Sequence, residues 1–266
     1  MIAPFAVVTK GLSKRYGRSR ALDGFSLSVP GGSIMGLVGP NGAGKTTWMM
    51  CVAGLLKADA GEVSLFGGGA FDAALHSGRV AILPQDSELP LEMSPRSLFR
   101  TFARLQGFSG KAADAAAEKA LAEVHLEDCA GKPMRALSHG MRKRAMAGQC
   151  FIGNPELMLL DEPMNGLDPE ETARLRSLIL AGRGARTTVI SSHNLQDLER
   201  LCTHVAFADA GRIVKTAKIE DILSDGKTLE SVYLERNADG ATDRRSEPPR
   251  SVTKSQGGGN GDGRCF

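Results

Sequence analysis

The chain has 266 residues, 42% of them hydrophobic and 24% charged, with a formal net charge of +3. That length can bury a substantial core, as one large domain or two small ones. The charge is mild and no Lys/Arg block exceeds three residues, which argues against a nucleic-acid partner.

Five cysteines (51, 129, 150, 202 and 265) form no CxxC pair, which suits reduced thiols in a cytosolic protein and gives no sign of a zinc site or disulfide framework. The opening MIAPFAVVTK has no charged lead, so no secretory signal is expected. No apolar run reaches the roughly 18 residues a membrane helix needs, so work at a membrane would pass through a partner.

The first strong element is SIMGLVGPNGAGKTTWMMCVAG, residues 33–54: an apolar strand, a glycine-rich turn and an apolar helix. The turn, Gly39-Pro40-Asn41-Gly42-Ala43-Gly44-Lys45-Thr46, matches GxxxxGK[ST] and continues into Thr47. Its glycines let backbone N–H groups converge on phosphate oxygens at a helix N-terminus. Lys45 is expected at the β- and γ-phosphates and the Thr46 hydroxyl on Mg²⁺. Trp48, one turn into the helix, reads as core.

Further along, VSLF, VAIL, LMLL, TTVI and HVAFA read as strands buried on both faces of a largely parallel α/β sheet. Gln85, in ILPQD, ends one of them. Two helices without an intervening strand interrupt the rhythm, within a helical insertion of about residues 87–155. The first has Ser94 as cap, Pro95 as its first residue, and Leu98, Phe99, Phe102 and Leu105 as one buried stripe. The second is alanine-rich.

LSHGMRKR (137–144) admits two readings: a helix capped by Ser138 with Arg142, Lys143 and Arg144 on its solvated face, or half of a phosphate site. LMLLDEP (157–163) then delivers Asp161 to the end of a strand, where it can hold Mg²⁺, with Glu162 placed to orient or deprotonate a water. Asp168 caps the DPEE helix, with Pro169 in its first turn. In SSHN, either His193 is functional or Ser192 or Asn194 is simply a cap; Tyr16, in KRYG, packs at a strand end or faces a ligand. From Asn237 to Phe266 the chain carries six glycines and few apolar residues, a composition expected to stay disordered.

The order GPNGAGKT, LSHGMRKR, LMLLDEP, NGLD, SSH resembles the nucleotide-binding subunits of ABC transporters over about residues 5–235. The resemblance implies a P-loop NTPase fold: a mainly parallel sheet flanked by helices, with an N-terminal antiparallel β part and a helical insertion subdomain. It implies an ATP-binding domain over residues 1–236 followed by the tail. ATP would lie on Gly39–Thr47 and Tyr16, with Mg²⁺ held by Thr46, Gln85 and Asp161, Glu162 as base and His193 at the γ-phosphate.

Ser138, Gly140 and Asp168 would act across a head-to-tail homodimer, closing the other subunit's site. The family's LSGGQ is matched by Leu137-Ser138-His139-Gly140-Met141, with His139 and Met141 departing from it. LSxGM followed by basic residues, with NGLDP downstream, is similar to single-domain subunits of exporters. The implied partner is a membrane permease, docked near Gln85 to Leu91, at the cytoplasmic face of the plasma membrane. A rival within the family is a non-transport ATPase of translation or DNA maintenance; such proteins usually carry tandem domains or a long coiled coil, and this chain shows neither. A second rival, a catalytically silent regulatory subunit, is disfavoured because Lys45, Asp161, Glu162 and His193 are all present.

Overall fold

Polar and apolar residues alternate at the N-terminus, and in the computed structural model, which describes residues 3–235, this alternation becomes a hairpin. Strands β1 (Phe5–Tyr16) and β2 (Ser19–Pro30) pair antiparallel. Leu22, Phe25, Leu27 and Val29 of β2 are buried while Ser26 and Ser28 are exposed, the two-residue period of a half-buried sheet. β3 (Ile34–Val38) and helix α1 (Lys45–Val52) follow, and then β4 (Ala60–Leu65) returns to pair with β1. The result is a three-stranded antiparallel sheet of order β2-β1-β4.

After the short helix α2 (Ala73–His76) come β5 (Val80–Leu83), α3 (Pro95–Leu105), α4 (Gly110–Glu123) and α5 (His139–Gly148). β6 (Leu157–Asp161), α6 (Pro169–Ala181), β7 (Thr187–Ser191) and α7 (Leu195–Leu201) come next, then β8 (His204–Asp209), β9 (Arg212–Lys218) and α8 (Ile219–Ser224). The second sheet has the order β5-β6-β7-β3-β8-β9, parallel except for β9. β3, β6 and β7 are buried at every position.

Two cores sit on opposite faces of that sheet. Successive strand residues point to opposite faces, so Leu157 and Leu159 join one core while Met158 and Leu160 join the other. The first core fills the space between the two sheets around Trp48, which is fully buried as expected. The indole Nε1 donates to Thr9 Oγ1 at 3.1 Å, and its ring stacks on Phe25 with centroids 5.9 Å apart. The second core takes in α3 to α7.

Three expectations need correction. VSLF belongs to β4, at the edge of the antiparallel sheet, where only Leu65 of the strand is fully buried; VAIL is the edge strand β5, half-buried except at Leu83. An edge strand has a neighbour on one side only, and apolar composition alone does not tell it from a central one. In α3 the Ser94 hydroxyl accepts from Ser97 N at 3.2 Å, and Leu98 and Phe99 are buried, but Leu105 is 72% exposed. It is the last residue of the helix, before the turn at Gly107 (φ +94°), and Ala103 packs inward instead. The alanines of α4 permit close helix packing, and Gly148 of α5 leaves room for Phe99, whose ring would lie 2.6 Å from an added Cβ. The segment from Asn237 onward lies outside the described residues.

Candidate functional site

The parallel strands end together at their carboxyl edge, where β3, β5, β6 and β7 lead into polar groups. β3 runs into the loop Gly39–Gly44. A Cβ on Gly39 would stand 2.3 Å from the carbonyl oxygen of Ala208, so the loop can lie against β8 only with glycine in that place. Gly44 adopts φ +97° and passes 2.6 Å (from an ideal Cβ) below the carbonyl of Ala21. Lys45 opens α1 and is only 7% exposed. Its ammonium donates to Gly39 O at 2.7 Å and Pro40 O at 3.1 Å. Burial lowers its pKa, opposed by the carboxylates of Glu162 and Asp161.

β6 and β7 supply the acidic half. Asp161 is buried; its Oδ2 accepts from the Thr46 hydroxyl and its Oδ1 from the Ser191 hydroxyl. Glu162, buried next to it, has φ +50°, a left-handed conformation that costs a non-glycine residue about 1 kcal/mol. Its N–H donates to Ser191 Oγ at 2.9 Å, so one hydroxyl holds both acidic residues. The N–H of His193 donates to Glu162 Oε2 at 3.3 Å. His193 Nε2 stands 3.2 Å from Oε1 without hydrogen-bond geometry. Burial raises the pKa of Glu162, against the opposing pull of His193 and Lys45.

These groups line a cleft of about 330 Å³ together with Ser19, Arg20 and Ala21 at the start of β2. Of the residues read from the sequence, Asn41, Gly42, Ala43, Gly44, Lys45, Thr46, Thr47, Gln85, Asp161, Glu162 and His193 converge here. Gly39 and Pro40 stand behind them, holding Lys45. Tyr16 is half exposed at the end of β1, opposite Ser19 in the hairpin, and is not part of the lining.

Ser138, Gly140 and Asp168 are elsewhere. Ser138 caps α5, accepting from Met141 N at 3.2 Å, and Asp168 caps α6, accepting from Glu171 N at 2.8 Å. Gly140 faces the Glu171 side chain. Arg144 is not on a solvated face: it pairs with Glu171 at 2.9 Å and donates to the carbonyls of Val124 and His125, which ties α5 to its neighbours.

Ser191, Ser19, Arg20 and Ala21 were missed by the sequence. Ser191 had a usable signal, a hydroxyl at the end of a fully buried strand whose register partner is Asp161. The other three had none, because the folding of the antiparallel sheet over the phosphate loop brings them in.

A glycine-rich loop at a helix N-terminus, a buried lysine, and an aspartate bonded to the helix's first hydroxyl define a P-loop nucleoside triphosphatase. Residues 22–165, more than half of the chain, match the ABC transporter family model. The chain is 33% identical to the daunorubicin resistance ATP-binding protein DrrA3 of Streptomyces coeruleorubidus, covering 90% of this chain and 77% of that protein. It is 35% identical to the Nod factor export ATP-binding protein I of Ralstonia nicotianae, covering 81% of this chain and 68% of that one. A solved ATP-binding subunit of an ABC transporter superposes with a TM-score of 0.76 at 26% identity, over 86% of this chain and 98% of that structure.

The chain belongs to the ABC transporter family, as an ATP-binding subunit that hydrolyses ATP. A transporter subunit of this kind implies a membrane partner, and among the described residues no helix is long and apolar enough to cross a membrane.

Proposed function

We propose that the cleft at the carboxyl edge is where this chain binds and hydrolyses ATP, and that the energy drives export through a separate membrane permease. The Lys45 ammonium and the N–H groups of Asn41–Thr47 would take the β- and γ-phosphates. The observation carrying the reading is the contact of Glu162 with His193 in the cleft that Lys45 also lines. Glu162 is buried, raised in basicity and aimed at the space where a water would meet the terminal phosphate. It would take the water's proton as oxygen bonds to phosphorus, and ADP would leave with phosphate as product. His193, half exposed beside it, would sense that phosphate.

Mg²⁺ fits the donor set: Thr46 and Asp161 offer hard oxygens, with Gln85 on the same cleft, and few protein ligands suit an ion that keeps water and phosphate oxygens. Bound there, it would neutralise phosphate charge.

Ser138, Gly140 and Asp168 lie off the cleft and so would serve a second copy, in a head-to-tail dimer. Residues 1–236 would form the ATP-binding domain, with a helical insertion at about 87–155. Export is supported by the names of the two relatives, a resistance protein and an export protein. The place of work would be the cytoplasmic face of the plasma membrane. Glu162→Gln tests the assignment: it should bind ATP, lose turnover and form a stable ATP-dependent dimer on size exclusion. Normal turnover would refute it.

A further inference from the structure

One cation of the cleft is unaccounted for by the nucleotide motifs. Arg20 stands at the start of β2 with its side chain 52% exposed, lining the cleft between Ser19 and Ala21. A free arginine on a strand end would sample many rotamers, at an entropic cost to any ligand that ordered it. Here the side chain is tethered. Its Nη1 donates to Asp23 Oδ1 at 2.5 Å, and the other oxygen of Asp23 accepts from Arg212 Nη2 at 2.7 Å and Nε at 3.0 Å.

The tether continues into the phosphate loop. Asp23 N donates to Gly211 O at 2.8 Å, and Gly211 N donates to Ala43 O at 3.2 Å. Arg212 and Arg20 hold the Asp23 carboxyl below its usual pKa, so it stays charged at neutral pH. A guanidinium has five donors, and the bond to Asp23 leaves donors for an anion.

Within the cleft Lys45 interacts with Glu162 and Asp161, Thr46 bonds to Asp161 and His193 touches Glu162, while Ser19 to Ala21 line it beside Gly44, on the side that faces the antiparallel sheet. A nucleotide with its terminal phosphate beside Glu162 brings its inner phosphate to the Arg20 side. We infer that Arg20, oriented by Asp23, binds the inner phosphate of the nucleotide and sets affinity for triphosphate and diphosphate alike; this rests on reading the cleft as the ATP site.

Titration calorimetry in EDTA, where no turnover occurs, tests it with unmodified ATP and ADP on the wild type, Arg20→Gln, Arg20→Lys and Lys45→Ala. Arg20→Gln should lose about three- to tenfold in affinity for both nucleotides, the net worth of one hydrogen bond at a half-exposed site. Arg20→Lys, keeping the charge but not the fork, should fall between. Wild-type affinity of Arg20→Gln for both nucleotides overturns the inference, and a loss for ATP alone overturns the inner-phosphate placement. If Lys45→Ala also binds like wild type, the cleft reading itself fails, which separates the two ideas.

Discussion

The Ser191 hydroxyl accepts the backbone N–H of Glu162 at 2.9 Å while donating to Asp161. Ser191 is fully buried at the end of β7, and Glu162 sits at φ +50° at the end of β6. The neighbouring strand therefore holds the left-handed turn that aims the Glu162 carboxyl into the cleft. Ser191→Ala should cost about 1–3 kcal/mol of stability, since it leaves a buried N–H unpaired. It should also lower the turnover number by about ten- to a hundredfold, as misplacement of a general base does, with ATP affinity within a few-fold of wild type. Denaturant unfolding and steady-state ATPase measure these separately. Unaltered turnover would mean the hydroxyl serves the fold alone.

Lys45 and Glu162 should divide binding from chemistry. Lys45→Ala removes the cation at the phosphates, so Mg-ATP affinity and turnover should both collapse. Glu162→Gln keeps the shape of the side chain and loses the base, so nucleotide should bind while turnover falls by at least about a hundredfold. Filter binding and phosphate release decide it; equal losses of affinity in the two variants would merge the roles.

The buried Glu162 also makes stability depend on pH. Its raised pKa means the folded chain holds this proton more tightly than the unfolded chain. That contribution is complete below the unfolded carboxyl value, about 4.3, and is lost as pH rises through the raised folded value. Glu162→Gln removes the cost of burying a charge, so its thermal midpoint should exceed that of wild type at pH 7.5. The gap should shrink towards pH 4. A gap that is constant across the range would place the effect elsewhere. Turnover of the wild type should fall on acidification as the base is protonated, beginning at a higher pH than an ordinary carboxylate would give.

Ser138 separates a cap from a phosphate contact. Ser138→Asp preserves the cap but would set a negative charge against the partner's nucleotide; Ser138→Arg would fill the gap with a bulky cation. Both should bind ATP as single subunits and fail to hydrolyse it. Thermal midpoints should show Ser138→Asp unchanged. If Ser138→Asp hydrolyses ATP normally, LSHGM is a helix cap and nothing more.

The phosphate loop and the acidic strand end of the cleft were readable because each is built from chain neighbours. Gly39 to Thr47 is one strand–loop–helix unit, and Asp161 and Glu162 end a strand that is apolar at every other position. The apolar runs likewise marked β6 and β7 correctly. What composition could not express was position within a sheet: VAIL and LMLL look alike, yet one is an edge and the other central. Leu105 matched the helical stripe and failed because the helix stopped. Ser191 and Arg20 reach the site through pairing and sheet packing, which no local spacing records.

The last prediction concerns the membrane partner and the stretch from Gln85 to Leu91. Gln85 is exposed on the cleft, so the segment that follows it begins where the terminal phosphate would be felt. The two leucines of that stretch, Leu89 and Leu91, do not share an environment. Leu89 packs partly buried against the helical core, whereas Leu91 is 54% exposed. The Leu91 carbonyl accepts from Arg135 N at 3.0 Å and Met93 O accepts from Met134 N at 2.9 Å, so the backbone is fixed while the Leu91 side chain faces out. Leu89→Glu would bury a charge and should lower stability by about 1–3 kcal/mol, which confuses any test of docking. Leu91→Glu should leave the thermal midpoint and basal ATPase of the isolated subunit within about 20% of wild type, as exposed substitutions usually do. It should nevertheless prevent recruitment to membranes holding the cognate permease, because a desolvated charge opposes an apolar contact. Co-expression followed by membrane fractionation reads the outcome directly. Recruitment of Leu91→Glu at wild-type levels would move the docking surface away from this loop.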